Sequence, residues 1–92
     1  MQEDEEEYFA DCLPSYYERF YPQICTYLIR MVHNCEDAHD LTQETFIKAW
    51  RKQSQFRGTT VRQFRAWIFS IATTTALSFI RKAKGREGPP NG

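Results

Sequence analysis

The chain has little of what several function classes require. It carries three cysteines, Cys12, Cys25 and Cys35. An odd count with no CxxC pair argues against both a disulfide framework and a four-thiol zinc site. His33, Cys35 and His39 sit close in sequence, but His33-x-Cys35 straddles a helix junction, so no metal is expected. No apolar run approaches the length of a membrane span, and the start MQEDEEE is acidic where a signal peptide would be basic and then apolar. A cytoplasmic protein with no membrane insertion is therefore expected. There is no glycine-rich phosphate loop, no internal repeat and no period-2 alternation of strands. Acids that could work as a pair are confined to one side of one helix, at Asp37, Asp40 and Glu44, and the Glu-x-x-His spacing of helical di-iron sites is missing. An enzyme is not expected, nor a cofactor, nor a small-molecule substrate.

What is present suits a packed helical domain. Ninety-two residues, 41% hydrophobic and 15% aromatic, can make one modest core. The formal net charge of zero conceals an asymmetry. Residues 1–46 hold 2 basic and 11 acidic side chains, and residues 47–92 hold 10 basic and 1 acidic. Such a dipolar chain either solvates its charges or offers two surfaces to two partners, the basic one to nucleic acid.

The stretch Asp37 to Phe56 organises the reading. Ala38, Leu41, Thr42, Thr45, Phe46 and Ala49 fall on one helical face, at i, i+3, i+4, i+7, i+8 and i+11. Acids crowd the first turns and bases the last, as the helix dipole favours. Asn34 or Asp37 is the expected N-cap. Upstream, Tyr16, Tyr17, Phe20 and Tyr21 form an aromatic cluster read as core, and Ile24, Tyr27, Leu28, Met31 and Val32 continue an apolar stripe. Pro14 is expected to interrupt a short first helix and Pro22 to kink or restart it. Arg57 to Val61 is the one clear loop. After it, Phe64, Trp67, Ile68, Ile71, Ala72, Thr75 and Phe79 make a long core stripe, with Phe69 left outside and Gly85 as the expected stop. The fold class is all-α, a compact bundle of three or four helices with short connections. Residues 1–13 read as an acidic tail or frayed first helix, 14–85 as the helical domain and 86–92 as the start of a linker.

The basic residues Arg57, Arg62, Arg65, Arg81, Lys82, Lys84 and Arg86 flank the loop and line the last helix, with Phe56, Phe64, Trp67 and Phe69 among them. Basic side chains track phosphates and aromatic faces stack on single-stranded bases, although spacing places Phe64 and Trp67 in the core.

The run Asp37-Ala38-x-Asp40-Leu41-x-Gln43-Glu44-x-Phe46-x-x-Ala49-Trp50, then Phe56-Arg57-Gly58, then Trp67-Ile68-x-x-Ile71-Ala72, resembles region 2 of the sigma-70 family, and within it the short extracytoplasmic-function (ECF) sigma factors. The resemblance spans about Tyr16 to Gly88. It implies a transcription initiation domain that docks on the β′ clamp helices of core RNA polymerase and recognises and melts the promoter −10 element, holding its non-template strand. It implies polymerase contacts from Asp40, Gln43 and Glu44, with Lys48, Trp50 and Arg51 as neighbours. It implies DNA contacts from the loop Arg57, Gly58, Thr59, Thr60 and Val61, from Arg62 and Arg65, and along the last helix from Phe69, Thr73, Thr74 and Arg81. An anti-sigma factor is a further implied partner. Two departures stand out. The spacer from Gly58 to Phe64 is about two residues longer than the usual pattern, which would alter a flipped-base pocket. The usual R-N-x-x-x-D-x-x-R after the I-A pair is replaced by Thr73, Thr74, Ser78 and Arg81. The second departure motivates an alternative: a helical interaction module that binds polymerase or a regulator without reading a promoter. A complete ECF factor would continue to a helix-turn-helix domain for the −35 element, so a C-terminal truncation is expected.

Overall fold

A computed structural model describes residues 9–87, with side chains from 15 to 84. Three α-helices follow one another: α1 (Phe9–Val32), α2 (Cys35–Arg51) and α3 (Val61–Glu87), with a 3₁₀ turn at Gln53–Gln55 before the loop. No strand occurs among the described residues.

α1 is one continuous helix through both prolines, which corrects the expectation of an interruption at Pro14 and of a restart at Pro22. Pro22 cannot donate to the Glu18 carbonyl, but both residues are exposed, so water can serve that oxygen. The opposite face carries Tyr16, Phe20, Ile24 and Leu28, every fourth residue and all buried, and their packing keeps the helix continuous across the gap. α1 ends at His33, whose φ of 59° lies in the left-handed region that glycine or asparagine usually fills, while its N–H donates to the Ile29 carbonyl at 2.7 Å.

Asn34 then caps α2. Its Oδ1 accepts from the Asp37 N–H at 2.8 Å, leaving Asp37 inside the helix rather than at its cap. α2 stops at Arg51, short of Phe56, because the chain tightens into the 3₁₀ turn. The six residues of its expected stripe are its buried residues. Two of them are polar: the Thr42 and Thr45 hydroxyls donate to the Ala38 and Leu41 carbonyls at 2.6 and 2.7 Å, so each is satisfied within its own helix.

α3 begins with a capping box. The Gln63 N–H donates to Thr60 Oγ1 at 3.1 Å, and Gln63 Oε1 accepts from the Thr59 and Thr60 N–H groups at 2.7 and 3.2 Å. The helix then runs through Gly85 to Glu87, beyond the stop expected at that glycine. Phe64, Ile68, Ala72, Thr75 and Ala76 are its buried residues. Trp67, expected in the core, is only half-buried.

Aromatic contacts give the packing directions. Tyr17 meets Phe46 and Trp50 while Tyr21 meets His39, so α1 and α2 are antiparallel. Tyr16 meets Phe64 while Tyr27 meets Phe69, so α1 and α3 run parallel. No helix among the described residues is long and apolar enough to cross a membrane.

Candidate protein and nucleic-acid interfaces

The exposed side of α2 is the first candidate surface. Core residues occupy one side of the helix, leaving Asp40, Gln43, Glu44, Ile47, Trp50 and Arg51 outside. Two of these are large and apolar: Ile47 is 51% exposed and Trp50 50%. They form one wall of an apolar groove of about 560 Å³, whose other wall is Tyr17 and Tyr21 of α1. Gln43 and Arg51 sit at its polar margin. Burial in this wall pushes the Tyr17 hydroxyl up to about 12, and it donates to the Phe46 carbonyl at 3.2 Å. Burial raises Tyr21 as well. Lys48 stands apart from the other five residues expected to face a polymerase. Its ammonium reaches Glu44 at 3.2 Å and the buried Thr75 hydroxyl of α3 at 3.1 Å, so it ties α2 to α3. Ile47 was not among the residues expected to face a polymerase. Its signal was an isoleucine among charged neighbours on an otherwise polar face.

The loop and α3 form the second surface. Arg57, Thr59 and Arg62 are exposed, with Gly58, Thr60 and Val61 half-buried beneath them. Gly58 allows a close approach. A Cβ there would overlap the Phe56 ring and lie 2.7 Å from Gln63 Cβ. Phe56 in turn packs on Trp67, with ring centroids 4.8 Å apart. The loop is thus braced from below by an aromatic pair and by the capping glutamine.

Further along α3 the candidates separate. Arg65 lies with its guanidinium over the Phe69 ring, 4.5 Å from the centroid, and donates to Gln23 Oε1 at 3.4 Å. Phe69 is not outside the fold, as periodicity suggested, but half-buried edge-to-face on Tyr27. Thr73 is drawn inward: its hydroxyl lies 2.6 Å from the Tyr27 hydroxyl and 2.9 Å from the Phe69 carbonyl. Thr74 is exposed, and its hydroxyl donates to the Ser70 carbonyl. Arg81 lies roughly 29 Å along the helix from Arg62, so it does not share a site with the loop.

Residues 16–86 match the Sigma-70 region 2 family. The chain belongs to that family. Its relatives place it among the ECF sigma factors. It is 36% identical over 72 residues to RNA polymerase sigma factor YlaC of Bacillus subtilis, covering 78% of this chain and 40% of that protein. It is 33% identical over 84 residues to ECF RNA polymerase sigma factor SigW of the same organism, covering 91% and 42%. It is 38% identical over 73 residues to the ECF RNA polymerase sigma-E factor of Haemophilus influenzae, covering 79% and 36%. This sigma region 2 chain therefore spans less than half the length of those relatives. No solved structure matches it.

Proposed function

We propose that this domain acts in transcription initiation. α2 docks on core RNA polymerase, at the clamp helices of the β′ subunit, while the loop and α3 recognise and melt the promoter −10 element and hold its non-template strand. The observation that carries the docking half is the pairing of exposed Ile47 and Trp50 with Asp40, Gln43, Glu44 and Arg51 on one face. A small domain has little apolar surface to spare, and an aromatic beside charged groups is the usual composition of an interface centre. Lys48 acts in this scheme by holding the α2–α3 angle and fixing Glu44, not by touching polymerase. An anti-sigma factor that covered the α2 face would hold the domain inactive.

For DNA, the exposed Arg57 and Arg62 at the loop take phosphates, and the Gly58 turn over Phe56 and Trp67 shapes the pocket for a base turned out of the stack. The alternative reading, docking without promoter recognition, draws on Thr73, whose hydroxyl is already engaged inside the fold. One experiment separates them. Binding of the chain to core polymerase is measured beside W50A and E44A, and binding to −10-like single strands beside R62A. The first reading requires both activities, with W50A and E44A affecting only the former and R62A only the latter. Polymerase binding without any strand binding at about 50 mM salt selects the alternative.

A further inference from the structure

The loop does not use all the basic surface near α3. A groove of about 430 Å³ runs between α1 and α3, bounded by Gln23, Tyr27 and Arg30 on one side and by Arg65 and Phe69 on the other. No acidic residue lines it. Because α1 and α3 are parallel, with Tyr16 at Phe64 and Tyr27 at Phe69, the groove continues away from the loop end of the bundle. Its chemistry is specific. Arg65 is held from two sides: its guanidinium carbon lies over the Phe69 ring, 4.5 Å from the centroid, and its Nε donates to Gln23 Oε1 at 3.4 Å. The Arg65 side chain is exposed. A flat guanidinium backed by an aromatic ring is a stacking platform for a nucleobase. Arg30 is exposed on the opposite wall, where a phosphate attached to that base would lie.

We infer that the α1–α3 groove is a second nucleotide-binding site for single-stranded DNA, with the base stacked on Arg65 and the phosphate held by Arg30. It rests on the strand-binding half of the proposed function and extends the strand's path from the loop onto α1. Gln23 and Phe69 are positioning residues, because they fix the plane of Arg65 without touching the strand. No acidic residue lines the groove, so its charge favours an anionic ligand, and stacking on a guanidinium selects a nucleobase, with its extended π face, over a side-chain carboxylate.

The test uses the whole chain, a fluorescein-labelled mixed-sequence single strand, and a salt titration. R30A removes one exposed charge and no core contact, so its thermal melt should overlay the wild type. It should weaken strand binding about tenfold at low salt and flatten the slope of log affinity against log salt by about 0.7. R65K keeps the charge and loses the plane, so it should weaken binding with the slope unchanged. A poly-glutamate peptide measured beside the strand completes the set. R30A binding like wild type across the titration overturns the groove and leaves the loop reading standing. An equal loss for poly-glutamate and DNA overturns it too, because a general anion patch then suffices. Wild type that binds no single strand at about 50 mM salt overturns both the groove and the strand-binding reading.

Discussion

Gly58→Ala tests whether the loop is built as described. Gly58 has no left-handed φ, so alanine carries no backbone penalty and would ordinarily gain about 0.4–1 kcal/mol from a less flexible unfolded chain. Space opposes it. The new methyl would meet the Phe56 ring and lie 2.7 Å from Gln63 Cβ and 2.9 Å from Gln63 Oε1. Phe56 cannot retreat freely, because its ring already lies tilted against Trp67 and at right angles to Phe64. Gln63 must therefore yield, and its Oε1 is the acceptor for the Thr59 and Thr60 N–H groups. Overpacking costs about 1–3 kcal/mol and the weakened cap about 1 kcal/mol, against the small entropic gain. The expected result is a net destabilisation of about 1.5–3 kcal/mol. Urea denaturation followed by far-ultraviolet circular dichroism gives the number, and Q63A measured alone and combined with G58A gives the coupling. Since both changes damage the same cap, the double variant should lose about 1 kcal/mol less than the sum of the singles. A G58A protein as stable as wild type, or strict additivity with Q63A, would refute the account of how the loop is braced.

The remaining predictions concern helix ends, titration and the docking face. His33→Gly should raise stability by about 0.5–1 kcal/mol in the same denaturation assay, because glycine adopts the φ of 59° without the steric cost a Cβ imposes. Asn34→Ala should lower it by about 1 kcal/mol through loss of the bond to the Asp37 N–H. Tyr17 has a folded pKa near 12 against an ordinary value of 10.0, so the neutral phenol is the form the fold favours. Its contribution is fully present below pH 10 and is lost as pH rises toward 12, so Tyr17→Phe should flatten the alkaline limb of the stability–pH profile. Parallel limbs for the two proteins would show that Tyr17 ionises without consequence. Trp50→Ala should change melting little, the residue being half-exposed, while markedly weakening capture by core polymerase in a pull-down.

The sequence disclosed most where one physical signal dominated. Each stripe residue of α2 is buried, because a 3.6-residue period with charges opposite has one solution in water. The capping box at Thr60 and Gln63 was equally legible as T-x-x-Q, although Thr60 also closes the loop expected from Arg57 to Val61. The prolines misled because local propensity cannot weigh four buried side chains on the other face of α1. Phe69 and Trp67, expected outside and inside, are both half-buried for a geometric reason. Both flank the buried stripe of α3, and which flank gains cover depends on where Tyr27 and Phe56 arrive from other parts of the chain. The site residues sorted the same way. Asp40, Gln43, Glu44, Trp50 and Arg51 share the open side of α2 because one helix fixes them all, whereas the turn of Lys48 toward Thr75 depended on a neighbouring helix.

The two buried threonines of α2 have a consequence for how such a chain can diverge. Thr42 and Thr45 spend their hydroxyls on their own helix. The ties across helices start instead from half-buried side chains: Tyr17 to the Phe46 carbonyl, Tyr27 to Thr73, and Lys48 to the buried Thr75. Thr75 apart, the centre of the bundle therefore asks its occupants for volume and not for a particular donor or acceptor. Substitutions there can drift through shapes of similar size, while a few hydroxyls at the margin keep the helices in register. Such an arrangement lets a lineage rewrite most of its interior letters, as one sharing 36% of aligned positions with a relative has room to do, and still present the same two faces.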